Sequence, residues 1–442
     1  MAKKKKINKK RKRFQFIIWI FLLLLVAFFT YYFKDEIFKP NPNQGNSTSV
    51  SVNHPNDHSE NIIAYDDFQI HFMELGVYNT GDATYIKAGN TDVLIDAGAT
   101  AESANYLIEY INQYCLDGKI EYVITTHAHD DHYTGMFGNQ KASVNFKNEP
   151  IERTGILYYY DIGTIIDFSQ TAKTAGNYLK YMDAVNYAVS KGSKHYNALE
   201  CFTEQNGAKS QYILDDEKMI TMDILYNKYY FELSSDENNH SVCTMFHYND
   251  HHFMFTGDLE KDGEEALAQY YDQSSKEKTL PHVDLFKAGH HGSKTSSNDC
   301  LLQLITPDIC CVCCCAGSSE YTTDNNNVFP TQDFIDRIAK YTDRVYVTSA
   351  INMEESRKQG KQIFQSLNGT ICVSCNGQDV GVDATNNVLK LKNSEWFNEK
   401  IYVVTNEKGT NTICQNKNSS NYYNETDENV QLIPRRTWPS YS

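Results

Sequence analysis

A short segment rich in histidine and aspartate follows the run "VITT". In "HAHDDH", His127 and His129 lie two residues apart, and Asp130, Asp131 and His132 follow directly. In an extended or tightly turned chain, the first two imidazoles can reach one point, and Asp131 and His132 can approach it from the opposite side. Imidazole and carboxylate together suit Zn²⁺, Mn²⁺ or iron. The spacing therefore predicts a metal site rather than an ordinary polar loop.

The surrounding elements predict an α/β layered domain. "FQIHFMEL", "ATYIKAG" and "DVLIDAG" are three predicted strands with glycine-containing turns between them. The helix "AESANYLIEYINQYC" comes next, and the strand "IEYVITT" then leads straight into the histidines. In such domains ligands bind to loops beyond the strand ends, which is where this segment lies.

The N-terminal part of the chain differs in composition from the rest. Nine of the first thirteen residues are Lys or Arg, and residues 14–33 carry no charge. This predicts a basic cytoplasmic tail over 1–13 and a transmembrane anchor over 14–33, with everything beyond it outside the cytoplasm. A cleaved signal peptide is the alternative, but "TYYFKDEIF" offers no small-residue cleavage site. Residues 34–64 predict a flexible linker, 65–390 the main folded domain, and 391–442 a C-terminal appendage.

The charge of the chain beyond the anchor argues against a broad polyanion-binding surface. After residue 33 it holds 32 Lys and Arg against 56 Asp and Glu, a formal charge of −24. Nucleic-acid-binding proteins usually present a basic face. Any nucleic-acid role would therefore need a local basic groove.

Several motifs resemble those of the metallo-β-lactamase superfamily, in the same order. "THAHDDH" resembles its HxHxDH signature, and "VLIDAG", "HHFMFTGDL" and "LFKAGHHGSKTSS" match motifs that flank it. The resemblance implies an αββα sandwich with two divalent metal ions, Zn²⁺ or Mn²⁺. The sequences "GDATYIKAGNTDVLIDAG" and "KAGHHGSKTSS" are similar to those of the extracellular domain of ComEC-type DNA-uptake proteins. Those proteins also carry a many-helix channel, so we do not expect DNA transport by this chain alone.

The resemblance also implies a set of metal ligands. His127 and His129 are expected to bind one metal ion, Asp131 and His132 the other, and Asp258 of "TGDL" to bridge the two.

The last expected ligand comes from two adjacent histidines. His291 is expected to bind the Asp131 metal, because superfamily phosphodiesterases place this ligand two residues before a Ser or Thr, as His291 precedes Ser293. His290 would then face the substrate, although the reversed assignment stays open. His240 is a further candidate ligand, but a surface turn explains it equally well.

The implied mechanism is attack by a hydroxide that bridges the two metals. Asp131 would orient the water and take its proton, and His290 and Lys287 would stabilise the oxyanion or the leaving group. Lys287 could equally be a solvated loop lysine. Phosphodiesterases of this fold place Asp at position 258 where true β-lactamases commonly place Cys, so phosphoesters are favoured over lactams.

A long segment between the motifs is expected to form one wall of the active site. Residues 150–215 contain the predicted helix "TAKTAGNYLKYMDAVNYAVSKG" and the predicted strand "GILYYYDIG".

The cysteines are concentrated in one run. Five of the twelve lie in "DICCVCCCAG", where CxxC spacings suggest a zinc ribbon. In a strand, however, positions i and i+3 point to opposite faces. We therefore expect small buried apolar side chains, with a structural metal or disulfides as the alternatives.

The sequence thus predicts a membrane-anchored, extracytoplasmic, binuclear metal-dependent hydrolase. A phosphodiesterase or nuclease acting on DNA, nucleotides or other phosphoesters is favoured. The alternatives are a non-catalytic binding or scaffold module linked to DNA uptake, and a hydrolase of lactams or thioesters. No protein partner can be predicted from the sequence.

Overall fold

The computed structural model describes residues 64–76, 81–272, 279–319, 322, 327–405, 411–414 and 430–441. The predicted cytoplasmic tail and anchor, and all of the predicted linker except its last residue, lie outside these ranges. Within them, every helix is too short or too polar to cross a membrane.

The described residues form twenty-one strands. The first eleven are β1 (Phe68–Phe72), β2 (Thr84–Ala88), β3 (Thr91–Ile95), β4 (Lys119–Ile124), β5 (Ser143–Val144), β6 (Pro150–Ile151), β7 (Asp161–Asp167), β8 (Lys194–Asn197), β9 (Gln211–Asp215), β10 (Ile220–Ile224) and β11 (Thr244–Tyr248). The others are β12 (His251–Phe255), β13 (Leu285–Lys287), β14 (Ile309–Ala316), β15 (Val345–Ile351), β16 (Phe364–Ser366), β17 (Ile371–Cys375), β18 (Val380–Ala384), β19 (Lys400–Thr405), β20 (Asn411–Cys414) and β21 (Val430–Pro434).

Nine α-helices connect the strands of the described residues. They are α1 (Ser103–Ile111), α2 (Asp130–Phe137), α3 (Ile156–Tyr159), α4 (Asn177–Ser190), α5 (Ala198–Phe202), α6 (Lys261–Tyr271), α7 (Asp299–Ile305), α8 (Gln332–Ile338) and α9 (Met353–Gln359). The segment "GILYYYDIG", predicted as one strand, is divided between α3 and β7.

Two mixed eight-stranded sheets form the body of the domain. The first has the order β18-β17-β1-β2-β3-β4-β7-β8, and the second β16-β15-β14-β13-β12-β11-β10-β9. Strands β3, β4, β7 and β8 run parallel in the first sheet, as do β12 to β15 in the second.

Alternating apolar side chains pack the sheets face to face. Phe68 and Phe72 of the first sheet lie 5.0 and 6.0 Å, between ring centroids, from Phe253 and Phe255 of the second. Met254, between these two, joins instead the core under α6, α7 and α8. A third core packs α1 to α4 on the outer face of the first sheet. The result is an αββα sandwich, as the resemblance implied.

The cysteine run forms β14, and all eight residues of this strand are buried. Cys311 and Cys313 pack between the sheets, whereas Cys310 and Cys314 pack on the opposite, helix-covered face. The CxxC pairs therefore face away from each other, and the eleven cysteines with described surroundings are free thiols. Nine of these eleven cysteines, including all five of β14, are small buried side chains of the core.

The predicted C-terminal appendage begins with residues that belong to this core. Leu391, Trp396 and Phe397 pack under the second sheet, and β19, β20 and β21 then form a separate three-stranded sheet. The Arg436 guanidinium lies 3.6 Å from the centroid of the Trp396 ring, which ties the last strand to the domain.

Thiol labelling tests this account of the cysteines. Nine described cysteines are buried, while Cys300 and Cys372 are partly exposed. We expect Ellman's reagent to react quickly with no more than three of the twelve thiols in the native protein, and with all twelve in denaturant. Additional thiols released from the native protein by a metal chelator would instead indicate a structural metal.

Candidate metal centre

The histidine segment lies where strands of both sheets end. His127 follows the C-terminal end of β4, and α2 begins at Asp130. Asp258 follows β12, and His291 follows β13. Because the carboxyl ends of parallel strands meet at one edge of an α/β sheet, the fold brings these distant segments together there.

Asp96, in the turn after β3, orients the first histidines. Its Oδ1 accepts a hydrogen bond from the Thr126 backbone N–H at 2.8 Å, and its Oδ2 lies 2.7 Å from His132 Nδ1. The Thr126 hydroxyl donates to the same carboxylate at 2.7 Å and lies 3.1 Å from His127 Nδ1. A carboxylate only accepts hydrogen bonds, so Nδ1 of His132 carries a hydrogen. Nε2 of His132 lies 3.2 Å from the Asp258 carboxylate. Burial alone would lower the pKa of His132, but Asp258, Asp96 and Asp131 raise it well above its usual value, so Nε2 donates to Asp258 unless a metal ion displaces its proton.

His291 is oriented in the same way from the second sheet. Its Nδ1 donates to the Cys313 carbonyl of β14 at 2.9 Å. Its Nε2 lies 3.3 Å from Asp131 Oδ2 and 3.5 Å from Asp258 Oδ2. Outer partners that fix the Nδ1 hydrogen of an imidazole are usual around metal-binding histidines.

These side chains form two groups of three donors that share His132. One consists of His127, His132 and Asp258, and the other of Asp131, His132 and His291, with the donor atoms of each group within 4.8 Å of one another. Asp258 contacts His132 and His291 at the junction of the two groups. His129 lies beside the first group, with its Nδ1 3.1 Å from His127 Nε2.

The charge at this junction suits divalent cations. Asp82, Asp96 and Asp258 are buried, and Asp258 Oδ1 accepts no hydrogen bond from the described residues. Burial alone would lower the pKa of His291, but the Asp258 and Asp82 carboxylates raise it to about 10. The same carboxylate charge would stabilise a metal ion among these groups. The donor set, with imidazoles and carboxylates only, therefore fits the expected metal ions.

His127 and Asp131 are in the protonation states that metal ligands require. Burial, reinforced by the charge of His132, lowers the pKa of His127 well below its usual value, which keeps the imidazole neutral. Burial would raise the pKa of Asp131, but His132 and His291 hold it below its ordinary range. Both side chains thus offer lone pairs near neutral pH.

His290 lies outside these groups and faces a cavity. Its Nδ1 is 2.8 Å from Glu260 Oε1, so it donates to that carboxylate, and its Nε2 is 3.9 Å from Asp258 Oδ2. The cavity, of about 570 Å³, is also lined by His129 and Asp131. His290 is therefore placed to meet a ligand that enters the cavity.

Lys287 has a different position from the one expected. It is neither a solvated loop lysine nor part of the cavity lining, because its side chain is 3% exposed and pairs with the Asp82 carboxylate. It also donates to the Gly257 carbonyl at 3.3 Å and lies 3.6 Å from Asp258 Oδ1. Burial would lower its pKa, but Asp82 and Asp258 raise it, so the amine stays charged. Lys287 thus stabilises the Asp258 carboxylate from within the protein, without reaching the cavity.

The structure does not bring His240 into either donor group. His240 is buried, its Nδ1 lies 3.3 Å from Glu237 Oε1, and its Nε2 accepts the Ser234 backbone N–H at 2.9 Å. Both ring nitrogens therefore contact residues of the segment around the short 3₁₀ turn Glu237–His240.

Sequence reasoning gave no site role to three residues that matter here. Asp96 and Asp82 lie in the motifs "DVLIDAG" and "GDATYI". Their positions beside strand ends could have identified them as candidate site residues. Glu260, two residues after Asp258, offered no comparable signal, because nothing local indicates that it meets His290 across thirty residues of chain.

Metal content tests the donor groups. In the full-length protein loaded with Zn²⁺, we expect two metal ions per chain in the wild type and in His240→Gln, and fewer than one in Asp258→Asn, because only Asp258 belongs to a donor group. Metal analysis after gel filtration would measure this. Equal metal loss in the two variants would make His240 a ligand.

The role of Asp96 can be tested separately. Asp96→Asn should weaken metal affinity about 10- to 100-fold, because an outer carboxylate that orients a ligand is lost. Asp92→Asn is the matched control, since Asp92 is a buried aspartate of the neighbouring β3 strand that pairs with Lys87 instead. Competition with a chromophoric chelator gives both affinities. Similar affinity losses in the two variants would show that Asp96 affects metal binding only through the overall stability of the protein.

Comparisons with known proteins agree with this picture. The family model of the metallo-beta-lactamase superfamily matches residues 78–143. Recombination protein 2 of Haemophilus influenzae is 33% identical over 73 residues, which are 16% of this chain and 8% of that protein. The match thus spans less than a tenth of this relative.

Two solved structures are also similar over much of the chain. The metallo-beta-lactamase fold protein YhfI from Bacillus subtilis has 10% identity, a TM-score of 0.35, and coverage of 64% of this chain and 96% of that one. The short form of human tRNase Z has 12% identity, a TM-score of 0.27, and coverage of 63% and 93%. The family match over the histidine segment and the order of its motifs show that this part of the chain is similar to the metallo-beta-lactamase superfamily, with a short ComEC-like resemblance.

Proposed function

We propose that this protein is a binuclear metal-dependent phosphodiesterase. The observation that carries the proposal is the position of Asp258, whose carboxylate contacts both His132 and His291 where the two donor groups meet. A carboxylate at such a junction can bridge two cations, which is the arrangement used for phosphoester hydrolysis.

The expected ligands are the six side chains of the two groups and their neighbour, namely His127, His129, Asp131, His132, Asp258 and His291. Two divalent ions held there, Zn²⁺ or Mn²⁺, would lower the pKa of a water molecule and neutralise charge on the phosphoryl group.

The side chains that face the cavity would handle the protons and the substrate. The pKa of Asp131 is held below its usual range, so its carboxylate would be a weak base. Asp131 would therefore mainly orient the attacking water. His290, fixed by Glu260 through Nδ1, presents Nε2 to the cavity. A protonated Nε2 would donate to a phosphoryl oxygen or to the leaving group.

Two further arguments favour phosphoesters over lactams or thioesters. An aspartate, not a cysteine, stands at the junction of the donor groups. The match to Recombination protein 2, although short, adds DNA and nucleotides to the substrates worth testing.

We also propose that the chain is held at the cell membrane by residues 14–33, with the catalytic domain outside the cytoplasm. The support is the uncharged run of twenty residues after nine basic ones.

Hydrolysis of bis(p-nitrophenyl) phosphate by the full-length, metal-loaded protein in detergent tests the activity. We expect turnover by the wild type and by Asp92→Asn, and a loss of about 100-fold in Asp258→Asn, because a bridging ligand is removed. Metal binding by the wild type without turnover of any phosphoester would favour the non-catalytic binding module.

A further inference from the structure

The cavity at the metal centre has one wall that the ligand-bearing strands do not provide. It consists of the loop between β7 and α4 and the first residue of α4, and it contributes Lys173, Ala175, Gly176 and Asn177 to the lining. This wall belongs to the segment 150–215, which the sequence predicted to border the site.

We propose that Lys173 binds the anionic phosphate of the substrate, and that the substrate is a small phosphodiester such as a mononucleotide ester. This rests on the proposed function and adds the substrate class and the residue that recognises it.

Charge is the first argument. Lys173 is the one Lys or Arg that lines this cavity in the described part of the chain, whereas Asp130 and Asp131 contribute negative charge. Lys173 is exposed, and it lines the same cavity as His129 and His290. A phosphate held at the metals would leave an oxygen facing outward, and a lysine on the rim is the natural donor to it.

The loop that carries Lys173 is anchored at its base. The Ala172 backbone N–H donates to Glu237 Oε2 at 3.2 Å, and the other oxygen of Glu237 lies 3.3 Å from His240 Nδ1. Glu237 is 8% exposed and His240 is fully buried, so this anchor is part of the body of the domain. His240 therefore acts as a positioning residue that holds Glu237 under the loop.

The opposite end of the loop is fixed as well. The Asn177 side-chain amide donates to Asp130 Oδ2 at 2.9 Å, and the Tyr133 hydroxyl donates to Asp130 Oδ1 at 3.0 Å. Both partners lie in α2, beside the metal ligands Asp131 and His132. The loop is thereby tied to the same helix that supplies the ligands, which places Lys173 at the rim.

The size of the cavity supports the substrate class. A volume of about 570 Å³ is in the range of small-molecule sites and admits one nucleoside with its phosphate. The formal charge of −24 beyond the anchor provides no broad basic surface for a duplex. A single phosphodiester unit fits both observations.

The central test compares Lys173→Gln with Lys191→Gln in the full-length, metal-loaded protein. Lys191 follows the far end of α4, about 20 Å along the helix, and is exposed, so the control removes the same charge away from the cavity. With thymidine 5′-(p-nitrophenyl phosphate), we expect KM to rise about tenfold in Lys173→Gln, with kcat within about twofold and metal content unchanged. Lys191→Gln should match the wild type.

The outcomes separate the two proposals. Turnover by the wild type with an unchanged KM in Lys173→Gln would overturn the role of Lys173 and leave the phosphodiesterase intact. Absence of turnover by the wild type on any phosphoester would overturn both.

Two further measurements test the anchor and the substrate class. Glu237→Gln should raise KM without lowering metal content, because the loop loses a charged anchor but no ligand changes. Unchanged KM would overturn the positioning role of the Glu237–His240 pair. Internal cleavage of a blunt 20-base-pair duplex as efficient as cleavage of the mononucleotide ester would overturn the small-substrate class.

Discussion

Concentrated negative charge at the edge where the two sheets meet is the constraint on which the rest of this structure depends. The side chains of Asp82, Asp96 and Asp258 are buried close together, and they share interaction partners. Burying a carboxylate is costly unless it is paired and hydrogen-bonded. Asp96 is satisfied by Thr126, while Asp82 and Asp258 share Lys287. The lysine is thus a permanent internal cation, and the remaining charge is compensated by imidazoles or, in the proposed enzyme, by metal ions.

A strained segment of backbone completes the site. His290, His291 and Gly292 have φ angles of 46°, 53° and 78°, in the left-handed region, where a residue with a Cβ atom costs roughly 1–2 kcal/mol. Such strain persists only where the surroundings hold it. Arg337 donates to the Ser297 carbonyl at 2.8 Å, and the buried Glu264 accepts the Ser297 backbone N–H at 2.6 Å. These contacts pin the loop, so that adjacent histidines can point to different places.

Local patterns predicted most of the elements near the site, and tertiary packing explains where they failed. The strand "DVLIDAG" and the helix that follows it correspond to β3 and α1. "GILYYYDIG" was predicted as a strand because β-branched and aromatic residues favour strands. Its first part is instead the helix α3, since Ile156 and Leu157 pack in the core that also holds residues of α2 and α4. For such a short segment, burial outweighs intrinsic preference.

The sequence by itself determined the donor types, their spacing around His127 and the order of the motifs, because ligands within one turn of chain are positioned by local geometry. Only the tertiary structure decided that Lys287 lies behind Asp258, that His240 serves Glu237, and that Lys173 borders the cavity. Each of these depends on where a side chain points after segments far apart in sequence have packed, and no local pattern encodes that direction. The same limit applies to Asp82, which is visible in its motif but acquires a partner only when β13 is brought beside it.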